Sequence, residues 1–205
     1  MKKILLTAFE PFGGEPVNPA WEAVQRARAP EGVELLRLQV PTVFAEAGDL
    51  VCAAMERERP DLVLCVGQAA GRAALTPERV AINIMDASIP DNAGAQPREE
   101  PVVPGGPAAY FTTLPVKRIA AAIQAAGVPA AVSNSAGTFV CNALLYRVLH
   151  EAERRTPGLR AGFLHVPCLP EQAERMGKDR ELPSLPLEQI VRGLEAAIGA
   201  LCEES

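Results

Sequence analysis

The chain has 205 residues, of which 48% are hydrophobic and 22% are charged, and its formal net charge is −5. This composition is typical of a globular protein with one core of ordinary size. An acidic chain without a run of lysines or arginines does not favour binding to a phosphate backbone, so we expect no nucleic-acid partner. No stretch approaches the ~20 apolar residues that cross a bilayer, and we expect no association with a membrane.

The first residues, MKKILLTAFEPFGG, place two lysines before an apolar run, as a signal peptide does. The run from 4 to 9 is too short for the apolar region of a signal peptide, and Glu10 and Pro11 end it, so we interpret it as a buried first strand. The five cysteines are odd in number and include no C-x-x-C pair. This pattern predicts reduced thiols in a cytoplasmic protein.

Apolar stretches with strand character alternate with amphipathic stretches along the chain. In chain order we predict strand 3–9, helix 18–28, strand 33–40, helix 44–59, strands 61–67 and 78–86, helix 116–126, strand 130–134, helix 139–155, strand 161–166 and helix 187–203. Asn18 before Pro19 is a helix-start signal, and Gly127 is a helix-stop signal. The alternation predicts one α/β domain over residues 1–205, a sandwich whose mostly parallel central sheet is covered by helices on both faces.

The segment 88–109, SIPDNAGAQPREEPVVPGGPAA, interrupts this alternation. It contains five prolines and has no apolar periodicity. A loop of this length within a compact domain is either functional or mobile, and the sequence leaves both interpretations open.

Cys141 lies where a small polar run, SNSAGT, gives way to an amphipathic helix. With Thr138 as the predicted N-cap, Cys141 falls in the first helical turn. Backbone N–H groups and the helix dipole there favour a thiolate and lower the pKa of a thiol, which is typical of a nucleophile. The alternative is a buried cysteine that packs as a small apolar residue.

Only two histidines are available as a base for this thiol, His150 and His165. His150 is nine positions along the same helix, about 13 Å away and on the opposite face. His165 ends a predicted strand, and side chains at the carboxyl ends of strands meet at the edge where ligands bind in α/β sheets. His165 is therefore the candidate base for Cys141, with an ordinary core histidine as the alternative.

The acidic partner of the imidazole stays open at this point, since Glu78, Asp86 and Asp91 are all candidates. Other chemistries find less support. The chain has no G-x-S-x-G elbow, no P-loop and no G-x-G-x-x-G fingerprint. It also has no H-E-x-x-H motif or paired cysteines, so we expect no metal and no cofactor.

Four stretches carry a resemblance across nearly the whole chain, and in the same order: LLTAFEPFGGEPVNPAWEAV, ERVAINIMDASIPDNAGAQP, NSAGTFVCNALLY and FLHVPCLPEQA. They resemble the pyroglutamyl peptidase I (pyrrolidone-carboxylate peptidase) family of cysteine peptidases. The resemblance implies a cytoplasmic exopeptidase that hydrolyses the N-terminal pyroglutamyl residue from peptides through a thioester acyl-enzyme. It also implies an α/β/α fold with a mixed sheet and a homo-oligomer, commonly a tetramer.

The resemblance implies a role for each residue that matches a family motif. Cys141 in GTFVCN is the nucleophile, His165 in FLHVP is the base, and Glu78 in ERVAIN orients the imidazole. The substrate-binding residues it implies are Phe9, Phe12, Gln68, Phe139 and Val140. Taken without the resemblance, Phe9 and Phe12 are ordinary core residues.

One position departs from the family pattern, because Ser88 stands in DAS where family members read D-A-R. The change removes a positive charge expected near the site. It motivates an alternative function, a weakly active or non-catalytic homologue that binds pyroglutamyl peptides. We expect that Arg72, Arg79 or Arg98 supplies a charge in its place. A cysteine acyl hydrolase with another substrate is a third interpretation.

Overall fold

The computed structural model describes residues 1–177 and 181–203. Its strands are β1 Lys2–Phe9, β2 Val33–Val40, β3 Leu62–Gln68, β4 Thr76–Pro77, β5 Val80–Ile82, β6 Ala109–Phe111 and β7 Arg160–Val166. Its helices are α1 Pro19–Arg26, α2 Phe44–Glu58, α3 Val116–Ala125, α4 Val140–Arg155, α5 Pro170–Met176 and α6 Leu187–Cys202.

The central sheet has five strands in the order β2-β1-β3-β7-β4. The first four pair in parallel, and β4 runs antiparallel to β7 at the edge. Helices α1, α3 and α6 cover one face, while α2 and α4 cover the other. The predicted α/β sandwich with a mostly parallel mixed sheet is confirmed.

Two apolar cores, one on each face, explain why β1 is apolar at successive positions. Ile4 and Leu6 enter the core beneath α1, α3 and α6, whereas Leu5 and Phe9 enter the core beneath α2 and α4. Successive side chains of a strand point to opposite faces, so a strand covered on both faces is apolar throughout. No helix of the described ranges is long and apolar enough to cross a membrane.

The five predicted helices are confirmed, with ends that move by at most two residues. Asn18 is the N-cap of α1, where its side chain accepts a hydrogen bond from the Ala20 backbone N–H. Gly127 follows the end of α3 with a φ of +75°, a left-handed conformation that favours glycine. Helix α5 was missed, since its seven residues are too few to give a clear apolar period.

Two strand predictions need correction. The predicted strand 78–86 is not continuous. Residues 76–77 pair with β7 as β4, and residues 80–82 pair with β6 in a separate two-stranded ribbon. The predicted strand 130–134 is an extended segment that makes only isolated parallel bridges, Leu75 with Ala130 and Glu78 with Ser133. Local sequence patterns indicate extended backbone but carry no information on which partner it pairs with.

Candidate active site

The edge of the sheet brings a histidine and a glutamate together. In the antiparallel pair of β4 and β7, the Glu78 backbone N–H donates to the Phe163 carbonyl oxygen at 2.9 Å. This register places Glu78 beside His165, and the His165 Nδ1 atom lies 2.7 Å from Glu78 Oε1. Both side chains are almost completely buried, at 4% and 0% exposure. An ionised carboxylate only accepts hydrogen bonds, so Nδ1 carries the proton and Nε2 is left as the basic nitrogen.

The other two acidic candidates lie elsewhere. Asp86 is exposed, and its carboxylate is 4.0 Å from an Arg98 nitrogen. Asp91 is buried and accepts hydrogen bonds from the backbone N–H groups of Phe44, at the start of α2, and of Ala95. Asp91 thereby ties the loop 88–109 to α2, and Glu78 is the carboxylate that contacts His165.

Cys141 lies in the first turn of α4, as predicted, but the cap of this helix differs from the prediction. The N-cap is Phe139, which makes no side-chain cap hydrogen bond. The Thr138 hydroxyl donates instead to the Asp86 carbonyl oxygen at 2.7 Å. The prediction that Thr138 is the N-cap was therefore wrong, because its side chain holds the neighbouring loop rather than the helix end.

A glycine on β3 makes room for the thiol. Gly67 is the register partner of His165 in the sheet. A Cβ atom on Gly67 would lie 2.7 Å from Phe163 Cζ and 3.1 Å from Cys141 Sγ, both closer than ordinary contact. The bare backbone of Gly67 thus lets the Cys141 sulfur approach the strand next to the one that carries His165.

His150 is separate from this site. It is buried on α4, and its Nδ1 atom is 2.8 Å from the Tyr110 hydroxyl. Its ring stacks on Tyr146 with ring centroids 6.2 Å apart. His150 therefore packs in the interior, and it lies away from Cys141, as its position on the helix predicted.

Arg72, which is partly exposed, also contacts the buried Glu78 carboxylate. Its Nη1 atom lies 2.5 Å from Glu78 Oε1, the same oxygen that His165 contacts, and it also contacts the Thr76 hydroxyl. Its Nη2 atom donates to the Ser135 carbonyl oxygen at 3.0 Å. Arg72 thereby joins the glutamate to the loop that precedes α4. From the sequence, Arg72 was only one of three arginines expected to replace the charge of the family arginine at position 88.

The surroundings set the protonation state of each group. Burial tends to raise the pKa of Glu78, but the interaction with His165, with a smaller contribution from the charge of Arg72, outweighs it and lowers that pKa. Burial lowers the pKa of His165 more than the Glu78 hydrogen bond raises it. At neutral pH the site therefore holds a carboxylate and a neutral imidazole.

The thiol differs from the sequence prediction. Cys141 is partly accessible through the cavity, yet the pKa of its thiol is raised to about 12. Burial of the sulfur is the main cause, and the negative charge of Glu78 is the second. Arg72 and the Cys141 backbone N–H oppose this shift without overcoming it. The prediction of a lowered pKa was wrong, since desolvation outweighs the helix start. The resting pair is a thiol and a neutral imidazole.

Cys141 and His165 line one cavity of about 360 Å³. The other residues around it are Phe9, Phe12, Asn18, Thr42, Gln68, Ala69, Ala70, Arg72, Ser135, Ala136, Gly137 and Phe139. One wall is aromatic, because the Phe12 and Phe139 rings are 6.4 Å apart and Phe44 meets Phe139 edge-on at 5.3 Å. Across the described ranges, no cluster of three or more His, Cys, Asp or Glu side chains is arranged to hold a metal ion.

The cavity includes four of the five residues named as substrate-binding candidates. Phe9, Phe12, Gln68 and Phe139 line it, whereas Val140 lines a separate cavity of about 520 Å³ between α2, α4 and the loop 88–109. The Val140 side chain is fully buried in the core beneath α2 and α4. Val140 is the first residue of α4, and its side chain points into that core. It therefore does not extend the wall beside Cys141, in contrast to the prediction.

Ser88 is exposed, in the segment that follows the buried Ala87. Of the three arginines named as substitutes for the family arginine, Arg72 lines the cavity. Arg79 donates to the Asn134 side chain at 2.7 Å, and Arg98 faces Asp86. Arg72 is therefore the one of the three that brings a positive charge to the cavity.

Comparisons with known proteins bear on this site and fold. The family model described as "Pyroglutamyl peptidase" matches residues 2–204. The chain is 52% identical to a pyrrolidone-carboxylate peptidase of Bacillus licheniformis, over 99% of this chain and 94% of that protein. It is 55% identical to the protein of the same name from Levilactobacillus brevis, over 97% of each.

Solved structures agree. Pyroglutamyl peptidase I of Bacillus amyloliquefaciens superposes with a TM-score of 0.92 and 49% identity, over 98% of this chain and 97% of that one. A mutant pyrrolidone carboxyl peptidase of the hyperthermophile Pyrococcus furiosus gives a TM-score of 0.92 and 39% identity, over 97% of each chain. The resemblance found in the sequence is confirmed, and the chain belongs to the pyroglutamyl peptidase family.

Proposed function

We propose that this protein is a cysteine exopeptidase that hydrolyses the N-terminal pyroglutamyl residue from peptides. Family membership supports the substrate class. The observation that carries the chemistry is the buried hydrogen bond between His165 Nδ1 and Glu78 Oε1, 2.7 Å long, in a cavity that also holds the Cys141 thiol. A nucleophile, a base and a group that orients the base are the parts that acyl transfer requires.

The first half of the reaction forms a thioester. As the Cys141 sulfur attacks the pyroglutamyl carbonyl carbon, His165 Nε2 takes the thiol proton and Glu78 stabilises the resulting imidazolium. The negative charge on the carbonyl oxygen is met by backbone N–H groups of the first turn of α4. The tetrahedral intermediate then collapses, the C–N bond breaks, and His165 returns its proton to the leaving amine.

The second half releases pyroglutamate. A water molecule gives a proton to His165 Nε2 as its oxygen attacks the thioester carbon. The C–S bond breaks, the sulfur recovers the proton from the imidazolium, and the thiol and neutral imidazole are restored. Since the resting thiol has a pKa raised to about 12, His165 acts as a true general base rather than as the partner of a preformed thiolate.

The cavity suits a flat, uncharged ring. Phe9, Phe12 and Phe139 supply apolar walls, and Gln68 supplies a polar group at the end of β3. A pyroglutamyl ring has one N–H donor and one C=O acceptor, whereas an ordinary N-terminal residue brings an ammonium that these walls do not pair. Leaving a buried polar or charged group unpaired is costly, which selects the lactam.

The setting and assembly follow from the resemblance. We infer that residues 1–205 form one domain, that the protein acts in the cytoplasm and that it assembles as a homotetramer. Sedimentation analysis tests the assembly, and a monomer at micromolar concentration would contradict it.

Turnover of a fluorogenic pyroglutamyl amide by the purified protein tests the activity, with the matching prolyl amide as a substrate that lacks the ring carbonyl. We expect release of the fluorescent amine from the first and not from the second. Cys141→Ala should abolish turnover, whereas Cys202→Ala, at the far end of α6, should retain it. No turnover by the wild type, or full activity in Cys141→Ala, would refute the proposal.

A further inference from the structure

Gln172 is a buried polar side chain that the reaction above does not use. It lies in the first turn of α5 and is 1% exposed. Its Nε2 atom donates to Glu15 Oε2 at 3.3 Å and to the Val17 carbonyl oxygen at 3.1 Å. Its Oε1 atom accepts from the Leu169 backbone N–H at 3.1 Å and from Gln68 Nε2 at 3.4 Å.

These partners determine the positions of the oxygen and the nitrogen of the Gln172 side-chain amide. A backbone carbonyl only accepts, a backbone N–H only donates, and an ionised carboxylate only accepts. The Glu15 carboxylate is ionised, because the hydrogen bond from Arg175, 2.6 Å long, lowers its pKa. An inverted Gln172 amide would set its oxygen against two acceptors and its nitrogen against a donor. The Gln172 oxygen therefore faces Gln68.

The orientation of the Gln172 amide also determines that of Gln68 on the cavity wall. Within the described residues, both hydrogen bonds of its side chain are donated by Nε2, one to Gln172 Oε1 and one to Cys168 Sγ at 3.1 Å. Cys168 is completely buried and accepts only weakly, so Gln172 supplies the stronger acceptor. With its nitrogen so engaged, Gln68 has its carbonyl oxygen left to accept.

We propose that Gln172 is a positioning residue for substrate selection. By accepting from the Gln68 amide nitrogen, it turns the Gln68 carbonyl oxygen toward the cavity, where that oxygen accepts the N–H of the pyroglutamyl lactam. The inference rests on the proposed function and deepens it, since it assigns the residue that sets the polarity of the pocket. Gln172 itself does not touch the substrate.

Gln172 also caps α5 through Leu169 and joins α5 to Glu15 and Val17, and a purely structural role would consist of these contacts alone. The two roles differ in what they do to substrate discrimination. Loss of a structural contact lowers activity toward all substrates alike. Loss of the acceptor facing Gln68 lowers activity only toward substrates whose ring carries the N–H.

The experiment compares two amide substrates that differ in one ring atom, the pyroglutamyl amide and the lactone analogue in which oxygen replaces the lactam N–H. The readout is the ratio of their kcat/KM values. Gln172→Glu keeps an acceptor facing Gln68, and its second oxygen, buried beside the ionised Glu15 carboxylate, is expected to hold a proton that replaces the amide donor. Gln172→Lys keeps donors toward Glu15 and Val17 and loses the acceptor. Gln25→Lys, on the exposed side of α1, is the control for the added charge.

We expect Gln172→Glu and Gln25→Lys to keep the wild-type preference for the lactam within about threefold. Gln172→Lys should reduce that preference roughly 10- to 100-fold, as expected for one buried hydrogen bond. Gln172→Met lacks the acceptor without adding charge, and it makes the same test if Gln172→Lys does not fold in thermal melting.

An unchanged preference in the folded Gln172→Lys or Gln172→Met variant would overturn the inference while leaving the proposed function intact. So would an equal loss of activity toward the lactam and the lactone. Absence of pyroglutamyl turnover by the wild type would instead refute the proposed function, and the inference with it.

Discussion

Arg72→Met should shift the pH profile of the enzyme rather than simply lower its activity. In the wild type, His165 and Arg72 contact the same oxygen of Glu78, at 2.7 and 2.5 Å. The positive charge of Arg72 contributes to the lowered pKa of Glu78, after the larger contribution of His165, and opposes protonation of His165. Without it, the Glu78–His165 pair should bind a proton at higher pH, and His165 would lose its role as a base there.

The size of the shift follows from this geometry. Two groups that contact one oxygen atom at these distances lie within about 5 Å of each other, where unit charges interact by ~3 kcal/mol at an effective dielectric constant of 20. This energy equals about two pKa units. The Arg72 side chain is 27% exposed, which screens part of the interaction. We therefore expect the acid limb of kcat/KM to move up by about one unit, with a larger loss of activity at mildly acidic than at alkaline pH.

The assay is the pH dependence of kcat/KM for the fluorogenic pyroglutamyl amide. The wild-type acid limb should lie below the usual histidine range, because burial lowers the pKa of His165 and activity is lost only as pH falls through that lowered value. Arg79→Met is the matched control, since Arg79 bonds to Asn134 outside the cavity. If both variants keep the wild-type limb, Arg72 does not set the protonation of the pair.

The remaining predictions concern the thiol, its base and the exposed loop. Alkylation of Cys141 by iodoacetamide should still accelerate above pH 9, because the thiol pKa is raised to about 12; a plateau near neutral pH in peptide mapping would contradict this. Glu78→Gln should lower kcat by about 10²- to 10⁴-fold with a small effect on KM, and a near-normal kcat would leave Glu78 a structural role. Ser88→Arg should change kcat by less than about threefold, because Arg72 already brings a positive charge to the cavity. A gain of ~10²-fold would indicate that the serine deprives the site of a needed charge.

Much of the fold could be predicted because its signals are local. The apolar run of β1, the Asn18–Pro19 start of α1 and the Gly127 stop of α3 each depend on a few neighbouring residues. The segment 78–86 could not be predicted in the same way. Within it, residues 80–82 form β5, which pairs with β6, whereas the preceding β4 pairs with β7, and the choice of partner depends on residues far away in sequence.

The site residues also differ in whether a local sequence pattern could identify them. Cys141 was a candidate because a cysteine at a helix start has a local signature, and His165 because it ends an apolar strand. Glu78 came from the family resemblance, since nothing near it distinguishes it from Asp86 or Asp91. Arg72 was predicted only to supply a positive charge, and its contact with Glu78 was not predicted. The contacts of Gln172 were missed, because its partners Glu15 and Gln68 are more than a hundred residues away in sequence.

The raised thiol pKa connects the chemistry to the selection of substrate. A thiol with a neutral imidazole beside it is a weak nucleophile until proton transfer and C–S bond formation occur together. Both require the carbonyl carbon to be held near the sulfur while His165 Nε2 receives the proton. In the proposed reaction the aromatic walls and Gln68 hold the carbonyl carbon in place only when the lactam ring is bound, so the binding energy of the ring lowers the free energy of the transition state. Discrimination between substrates should therefore appear in kcat as well as in KM, and the proposed positioning of Gln68 by Gln172 should affect both.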